Sequence, residues 1–247
     1  MIEEISIIIP TLNEEHYLPT TLEAIAKQNF YGKLEVIVVD GGSKDKTIEK
    51  ARKFKSKIKE LKIITIPKGI GLARNRGADI AKYKYLLFID SDIIFPSNFL
   101  NTLLKKIKPD GDFVDFILHK PTKPDLGDYL WIAAIFGFIS ISRLWDPICS
   151  GTFLFTTKSN HKKVKGFDEG IIMGEDIDYG RRSRALGAKY HLHYNPQVLA
   201  SPRRLREIGR VRLFWWWTKG YFHVLRHGPM YKNDIFPYPF GEHKKID

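Results

Sequence analysis

The stretch Tyr85-Leu86-Leu87-Phe88-Ile89-Asp90-Ser91-Asp92 places two acids directly after a continuous apolar run. The run predicts a buried strand, and residues two apart on an extended backbone point to the same side. We therefore expect the carboxylates of Asp90 and Asp92 to leave the sheet side by side, at the edge where α/β proteins bind ligands. Paired carboxylates suit Mg²⁺ or Mn²⁺. The alternative is that one acid starts a turn and caps the helix after Pro96.

Strand-like and helical patterns alternate through the first half of the chain. Besides residues 85–89, the predicted strands are Ile5–Ile9, Leu34–Val39 and Leu61–Ile66. The helical patterns between them are Glu15–Gln28, Asp45–Phe54 and Gly71–Lys82. This alternation predicts an α/β domain with a mostly parallel sheet covered by helices.

The second half has a mixed pattern. The predicted elements are strands at Phe113–Leu118 and Thr152–Thr156 and helices from about Glu175 to Leu186 and from about Arg206 to Leu225. The apolar stretch from Tyr129 to Ile141 is short of the roughly 20 apolar residues that a membrane span needs. We assign residues 1–200 to one α/β domain and 201–247 to a basic, aromatic, helical extension.

Composition limits the partners and the compartment. The 247 residues carry a net charge of +12, which favours nucleic acid, anionic lipid or phosphorylated substrates as partners. The single cysteine, Cys149, excludes an internal disulfide, and we expect it to be buried and inert in a reducing compartment. No signal peptide precedes the first strand, so we expect a cytoplasmic protein.

Two further strand ends carry polar residues. In Pro10-Thr11-Leu12-Asn13-Glu14-Glu15, Pro10 ends the strand and Thr11 or Asn13 can cap the next helix. In Asp40-Gly41-Gly42-Ser43, the glycines let the backbone approach a flat ligand, and Asp40 can accept hydrogen bonds from a base or a ribose. A glycine-rich turn with a Ser43 or Asp45 cap is the alternative.

The segment Gly69-Ile70-Gly71-Leu72-Ala73-Arg74-Asn75 opens a helix after a strand, as a dinucleotide-binding fingerprint does. Arg74 replaces the third glycine of that fingerprint, which argues against a nicotinamide or flavin site. An arginine near a helix N-terminus fits a phosphate contact better.

Gly174-Glu175-Asp176-Ile177-Asp178 crowds three acids into four residues. Acids at a helix N-terminus can simply be capping residues, since the helix dipole favours them. Crowded carboxylates, however, raise one another's pKa unless a cation lies among them. Asp176 or Glu175 is therefore a candidate general base.

Taken together, these segments resemble the family 2 inverting glycosyltransferases of GT-A fold over roughly residues 5 to 187. The resemblance implies a GT-A-type fold and transfer of a sugar, with inversion, from a UDP- or GDP-sugar to an acceptor hydroxyl or phosphate. It also implies an Mg²⁺ or Mn²⁺ cofactor. No Gln-x-x-Arg-Trp motif follows Asp176, so a single transfer is expected rather than synthesis of a long polymer.

The resemblance also implies roles for individual residues. Asp176 would be the catalytic base, and Asp90 and Asp92 would hold the metal. The nucleotide sugar would be bound by Pro10, Thr11, Asn13, Glu14, Asp40, Gly71, Arg74 and Asp90. Gly151 and Glu175 are candidates for binding the acceptor or a phosphate. Arg203 and Arg204 are candidates for the same role, but they lie beyond the resemblance and are chosen because they place cations near a predicted loop. His191 and His193 are candidates for a third metal ligand.

The C-terminal third is basic and aromatic. We predict that Ser201–Arg206 is a flexible loop that closes over phosphates. Trp215, Trp216 and Trp217, interleaved with cations, suit peripheral binding to a membrane that carries a lipid-linked acceptor. The alternative is a helix packed on the domain or in a subunit interface, and the oligomeric state stays open.

Two other functions remain as alternatives at this point. A basic nucleic-acid-binding module without catalysis would use the cations and aromatic rings, although the strand-end acids would repel phosphates, so we expect no nucleic-acid partner. A glycosidase would use paired carboxylates without a nucleotide donor.

Overall fold

The computed structural model describes residues 2–107, 110–142, 146, 148 and 151–231. Their strands form one eight-stranded mixed sheet with the order β3-β2-β1-β4-β7-β6-β8-β5. The strands are β1 (Glu4–Thr11), β2 (Lys33–Asp40), β3 (Glu60–Thr65), β4 (Tyr85–Ile89), β5 (Ile93–Ile94), β6 (Phe113–Pro121), β7 (Phe153–Thr157) and β8 (Lys189–Ala200). Cys149 and residues 232–247 lie outside the described residues.

The predicted α/β class is confirmed. Strands β3, β2, β1 and β4 pair in parallel, and so do β6 and β8. Strand β7 runs antiparallel to both β4 and β6, and β5 runs antiparallel to β8. The carboxyl ends of β1, β4, β6 and β8 therefore meet at one edge of the sheet, where the polar strand-end residues collect.

Nine α-helices occur in the described ranges. They are α1 (Leu18–Ala26), α2 (Thr47–Arg52), α3 (Ile70–Ile80), α4 (Phe99–Leu104), α5 (Leu126–Ser142), α6 (Lys158–Lys163), α7 (Glu175–Ala185), α8 (Arg203–Ile208) and α9 (Arg210–His227). A single 3₁₀ turn, Lys53–Ser56, follows α2. None of the helices in these ranges has the length and apolarity for a bilayer crossing.

Helix α1 begins at Leu18, later than the predicted Glu15. The carbonyl of Glu14 accepts hydrogen bonds from the amides of Tyr17 and Leu18, which form a turn before the helix, and Pro19 occupies the first helical turn. The predicted capping role of Thr11 or Asn13 is wrong, since Thr11 belongs to β1 and the helix has no side-chain cap.

The predicted C-terminal helix is interrupted. Gly209 adopts φ 86° and separates α8 from α9, a conformation that suits glycine because it has no side chain. The predicted flexible loop at Ser201–Arg206 is also wrong in part, since Arg203 and the residues after it form α8. The domain boundary at residue 200 stays a prediction, and it coincides with the end of β8.

The core lies on both faces of the sheet, because successive residues of a strand point to opposite faces. Ile5, Ile7 and Ile9 of β1 pack into one cluster that includes residues of α1 and α4. Ile8 packs on the opposite face, in a cluster with residues of α3 and α7. The two layers hold the strand ends rigid where the site is built.

Gly77→Ala is expected to destabilise the protein by about 1–3 kcal/mol through overpacking between α3 and the sheet. A Cβ at Gly77 would lie 2.4 Å from Ile8 Cγ2 and 3.2 Å from Val39 Cγ2. Gly137→Ala is the matched control, because a Cβ there meets nothing within 4 Å and the helix propensity of alanine should stabilise α5 by about 0.5–1 kcal/mol. Urea unfolding of both variants measures the difference, and equal effects would contradict the packing described here.

Candidate active site

A cavity of about 830 Å³ opens at the carboxyl ends of β1, β4, β6 and β8. Seven of the residues predicted to bind donor, metal or phosphate line it: Pro10, Thr11, Glu14, Asp90, Asp92, Arg203 and Arg204. The predicted residues that lie outside its wall are Asn13, Asp40, Gly71, Arg74, Gly151, Glu175 and Asp176. The strand-end pair therefore faces a cavity, and neither acid caps α4, whose N-cap is Asn98.

Two further groups of acids and arginines surround this cavity. On one side, both Arg203 guanidinium Nη atoms donate to the Glu14 carboxylate at 2.7 and 2.6 Å. The same guanidinium lies 3.5 Å from Asp92 Oδ2 and 4.5 Å from the centre of the Tyr17 ring. Arg203 is thus buried and fixed, rather than part of an open loop, and it joins the start of α8 to the end of β1.

Burial raises the pKa of Glu14, while its bond to Arg203 works in the opposite direction. A paired charge of this kind is held in place strongly, because removing either partner leaves an uncompensated buried charge. The phosphate-binding role of Arg203 stays a prediction. Glu14 takes two of the five N–H donors of the guanidinium, so a phosphate contact would use the remaining donors.

On the other side, Arg74 is buried among acids. Its Nη1 donates to Glu175 Oε1 at 2.7 Å, and its Nη2 donates to the Gly151 carbonyl at 3.1 Å. Nη2 also lies 3.7 Å from Asp90 Oδ1. In this structure Arg74 positions protein carboxylates, so its predicted contact with the nucleotide would act through Asp90.

Asp176 lies in the first turn of α7 and is not part of the cavity wall. Its Oδ2 accepts a hydrogen bond from the Gly151 amide at 2.5 Å, and its Oδ1 accepts one from the Ile177 amide at 2.8 Å. Burial, with the charge of Glu175 adding to it, raises the pKa of Asp176 to about 7, while Arg74 opposes the shift. A carboxyl with such a pKa can take up a proton near neutral pH, as a general base must.

The pKa of Asp90 is raised for the same main reason as that of Asp176. Burial raises its pKa, the positive charge of Arg74 opposes this, and the negative charge of Asp92 adds to the increase. The two carboxylates repel each other across the cavity edge, which is the electrostatic condition that a bound cation relieves.

The Asp40 carboxylate stabilises the tight turn that follows β2. Its carboxylate accepts hydrogen bonds from the amides of Gly42 and Ser43 and from the Ser43 hydroxyl, and the side chain is buried. Gly42 has φ 89°, which lets its amide turn back toward the acid. The alternative of a glycine-rich turn therefore describes this segment as it stands in the structure, and a ligand contact by Asp40 stays a prediction.

Asn13 and Gly71 have structural contacts. The Asn13 side-chain carbonyl accepts a hydrogen bond from the Lys44 amide at 2.9 Å. A Cβ at Gly71 would lie 3.0 Å from the Asp168 carbonyl, so the glycine lets the start of α3 approach that loop closely.

The predicted third metal ligands lie elsewhere. His191 Nδ1 and His193 Nε2 both lie 2.9 Å from the carboxylate of Asp115, and neither histidine lines the cavity. Across the described part of the chain, no group of three or more histidine, cysteine, aspartate or glutamate side chains is placed to hold a metal ion. The prediction that His191 or His193 is a third metal ligand is wrong. A strand pattern shows which residues share a face of the sheet, but it does not show which residues of other strands they contact.

His119 lines the cavity and was missed from the sequence. Its Nδ1 is buried and has no hydrogen-bond partner among the described residues. Burial lowers its pKa, which favours the neutral imidazole. His119 lies near the end of β6, so the strand-end rule used for Asp90 could have found it.

An apolar part of the cavity wall was also missed. Trp131 comes from α5, and Leu213 and Trp217 come from α9. The two tryptophan rings lie 5.5 Å apart between the helices. The cavity therefore has an acidic end at the strand tips and an aromatic end at the two helices.

Comparisons with known proteins agree with this architecture. The sequence model of "Glycosyl transferase family 2" matches residues 6–164. A PGL/p-HBAD biosynthesis glycosyltransferase of Mycobacterium bovis is 44% identical over 89 residues, which are 35% of this chain and 34% of that protein. Glycosyltransferase GlyG of Streptococcus pneumoniae is 33% identical over 117 residues, which are 46% of this chain and 38% of that protein. The chain thus spans about a third of the length of these curated relatives.

Two solved structures share the fold. Staphylococcus aureus TarS in complex with UDP superposes with a TM-score of 0.64 at 22% identity, covering 83% of this chain and 62% of that one. Mannosyltransferase PcManGT from Pyrobaculum calidifontis, in complex with GDP-Man and Mn²⁺, has a TM-score of 0.68 at 19% identity, covering 89% of this chain and 65% of that one. With the match over residues 6–164, these likenesses show that the chain belongs to glycosyl transferase family 2 and has its GT-A-type fold.

Proposed function

We propose that the chain transfers one sugar, with inversion, from a UDP- or GDP-sugar to an acceptor hydroxyl or phosphate. The observation that supports this most is the cavity at the strand ends, which Asp90 and Asp92 line in a chain of this family. The solved relatives named above are in complex with UDP and with GDP-Man, which is why nucleotides of both kinds are proposed.

We propose that Asp92 and Asp90 hold an Mg²⁺ or Mn²⁺ ion. Their carboxylates fit a hard cation, since both face the cavity and their mutual repulsion contributes to the raised pKa of Asp90. A third protein ligand is not required, because Mg²⁺ commonly uses one or two carboxylates and completes its shell with water and substrate phosphates. When bound, the ion offsets the negative charge that develops on the leaving diphosphate.

Asp176 is the proposed base. In an inverting transfer the acceptor oxygen attacks the anomeric carbon while the nucleoside diphosphate leaves from the opposite face, and a base takes the acceptor proton. Asp176 has a raised pKa suited to this step, and the Gly151 amide fixes its carboxylate. Arg74 holds Glu175 beside it and lies close to Asp90, so it couples the position of the base to the donor side of the cavity.

The acceptor is proposed to be lipid-linked and to meet the enzyme at the cytoplasmic surface of a membrane. The aromatic end of the cavity, formed by Trp131, Leu213 and Trp217, suits an apolar group next to the reacting oxygen. Arg204 also lines the cavity and is the proposed contact for an acceptor phosphate.

A screen of nucleotide sugars by thermal unfolding, with and without Mn²⁺, tests the donor. A ligand present at about 100 times its Kd stabilises the native state by about 2.7 kcal/mol, which raises the melting temperature measurably. We expect one UDP- or GDP-sugar to stabilise the protein with Mn²⁺ and to do so less without it.

Oligonucleotides are the control ligands in this screen. Stabilisation by an oligonucleotide that weakens with salt, together with no response to any nucleotide sugar, would contradict the proposal and favour the nucleic-acid-binding alternative.

A further inference from the structure

We infer that the outer sides of α5 and α9 form a docking surface for an anionic phospholipid bilayer. We call it the α5–α9 face and define it by seven exposed apolar residues: Leu126, Tyr129, Leu130, Ile141, Val211, Trp215 and Phe222. The inference rests on the proposed function in one respect, since it names the surface on which a lipid-linked acceptor would be presented.

The α5 part of the face is an uncharged, mainly apolar stripe. Leu126, Tyr129, Leu130 and Ile141 are 77%, 56%, 67% and 56% exposed, and Ala133, Ala134 and Gly137 between them are exposed as well. At 100° per residue these seven positions fall within an arc of about 140° on one side of the helix. None of these seven residues is charged. The exposed Ser140 lies on the same side of this 17-residue helix, and its hydroxyl is 2.9 Å from the Tyr194 hydroxyl. This side of α5 is therefore uncharged and mainly apolar.

The one charged residue of α5 is turned away from this stripe. Asp128 is buried, and it accepts hydrogen bonds from Arg206 and Arg210, which fix α5 to α8 and to the start of α9. The bonds to these arginines lower the pKa of Asp128 to about 2, although burial acts against them. The acid therefore stays ionised and paired, and adds no negative charge to the face.

The α9 part of the face combines apolar residues with cations. Val211, Trp215 and Phe222 are 74%, 56% and 51% exposed. The exposed cations among them are Arg212, Lys219 and Arg226. These six positions fall within an arc of about 100°. Of the three consecutive tryptophans, Trp217 packs on Trp131 and Trp216 packs against a small buried cluster, which leaves Trp215 outward.

The two arcs adjoin. The Phe138 ring of α5 lies 5.4 Å from the Tyr221 ring and 6.3 Å from the exposed Phe222 ring of α9. The Trp131 indole N–H donates to the Arg210 carbonyl at 3.2 Å. The two helices are therefore packed together along their inner sides, and their outer sides form one surface.

The positive charge of the α5–α9 face favours an anionic bilayer as its partner. Apolar side chains flanked by lysine and arginine match a bilayer with anionic headgroups, where the chains enter the interface and the cations meet phosphates. A second copy of the chain is disfavoured, because a two-fold interface would place the same cations of both copies in one contact. Trp131 and Trp217 of these helices also line the cavity, so a bilayer on their outer side lies about one helix diameter, roughly 10 Å, from it.

Co-sedimentation of the full chain with vesicles tests the inference. We expect binding to vesicles of phosphatidylcholine with about 30% phosphatidylglycerol, whose anionic headgroups attract lysine and arginine, and weaker binding to phosphatidylcholine alone. Leu130→Glu and Ile141→Glu should each weaken binding about tenfold or more at any salt concentration, because each removes apolar area and adds repulsion. Leu186→Glu is the matched control, since Leu186 is as exposed as Ile141, at 56%, but follows α7.

A charge series separates the electrostatic part. The triple variant Arg212→Ser, Lys219→Ser and Arg226→Ser should lose most of the salt-sensitive binding. The control removes three exposed cations elsewhere: Arg52→Ser, Lys55→Ser and Lys59→Ser. Equal losses in the two triple variants would show that net charge alone attracts the protein and would overturn the inference.

Two other outcomes would overturn it. One is equal recovery of the wild-type chain in the supernatant with and without anionic vesicles at low salt. The other is a dimer in analytical ultracentrifugation that Leu130→Glu dissociates, which would make the face a subunit interface. Stabilisation by nucleotide sugars is measured on the same variants without vesicles, so a failure of the proposed donor is seen separately from a failure of membrane binding.

Discussion

Asp176→Asn is expected to lower the rate of sugar transfer by roughly two to four orders of magnitude, the range typical for the loss of a general base. The amide keeps the size of the side chain, and its carbonyl oxygen can still accept the hydrogen bond from the Gly151 amide. Binding of the nucleotide sugar should therefore be nearly unchanged. Transfer rate and donor affinity, measured separately, check the two halves of this expectation.

The pH profile of the wild-type enzyme gives a second readout of the same residue. A base acts in its deprotonated form, and burial raises the pKa of Asp176 to about 7. We therefore expect kcat/KM to rise with pH through neutrality and to fall as Asp176 becomes protonated below it. In Asp176→Asn this rise should be absent, because the amide does not titrate.

Asp178→Asn is the matched control for this variant. Asp178 belongs to the same helix and forms an i,i+4 ion pair with Arg182, at 2.6 Å from Nη2. Its loss should leave transfer close to the wild-type rate. Near-normal turnover by Asp176→Asn, or an equal loss in Asp178→Asn, would remove Asp176 from the role of base.

The strand ends could be predicted because their signals are local. An apolar run followed by polar residues marks the end of a buried strand, and parallel strands bring such ends to one edge. Pro10, Thr11, Glu14, Asp90 and Asp92 all line the cavity for this reason. The same rule applies to His119, which lies near the end of β6 and also lines the cavity.

Pairings between distant residues could not be predicted. Glu14 and Arg203 are 189 positions apart, and the chain has 40 basic and 28 acidic residues from which such a pair could be drawn. Nothing in the local pattern selects one of these combinations, since the choice depends on how α8 returns over the end of β1. The burial of Arg74 among Glu175, Gly151 and Asp90 is unpredictable for the same reason.

At Asp40 and in the C-terminal helices, the sequence allowed two interpretations, and only the contacts in the folded chain decide between them. The pattern at Asp40-Gly41-Gly42-Ser43 allowed both an open acid and a closed turn, and only the hydrogen-bond partners decide between them. The sequence of α9 allowed both a buried and an exposed tryptophan cluster. Its packing on α5 shows that each interpretation describes part of the cluster, because consecutive residues of a helix point about 100° apart.

Asp92→Asn is expected to weaken the metal-dependent binding of a nucleoside diphosphate by at least about 100-fold, since even outer-shell changes cost metal sites about 10–100-fold. The Asp92 side chain is 13% exposed and lines the cavity, so its carboxylate is accessible to an ion. The amide keeps its size but removes the negative charge. Isothermal titration calorimetry with UDP and GDP, in Mn²⁺ and in EDTA, measures the metal-dependent part.

The position of Arg203 also predicts how Asp92→Asn should behave without metal. Its guanidinium lies 3.5 Å from Asp92 Oδ2 but is held by two shorter bonds to Glu14, so the loss of the Asp92 charge should leave Arg203 in place. The weak binding that remains in EDTA should then be the same in the variant and the wild type. Asp79→Asn is the control, because Asp79 is 61% exposed near the far end of α3. If Asp92→Asn binds diphosphate with the wild-type dependence on Mn²⁺, the assignment of Asp92 to the metal fails, whatever the outcome for Asp176.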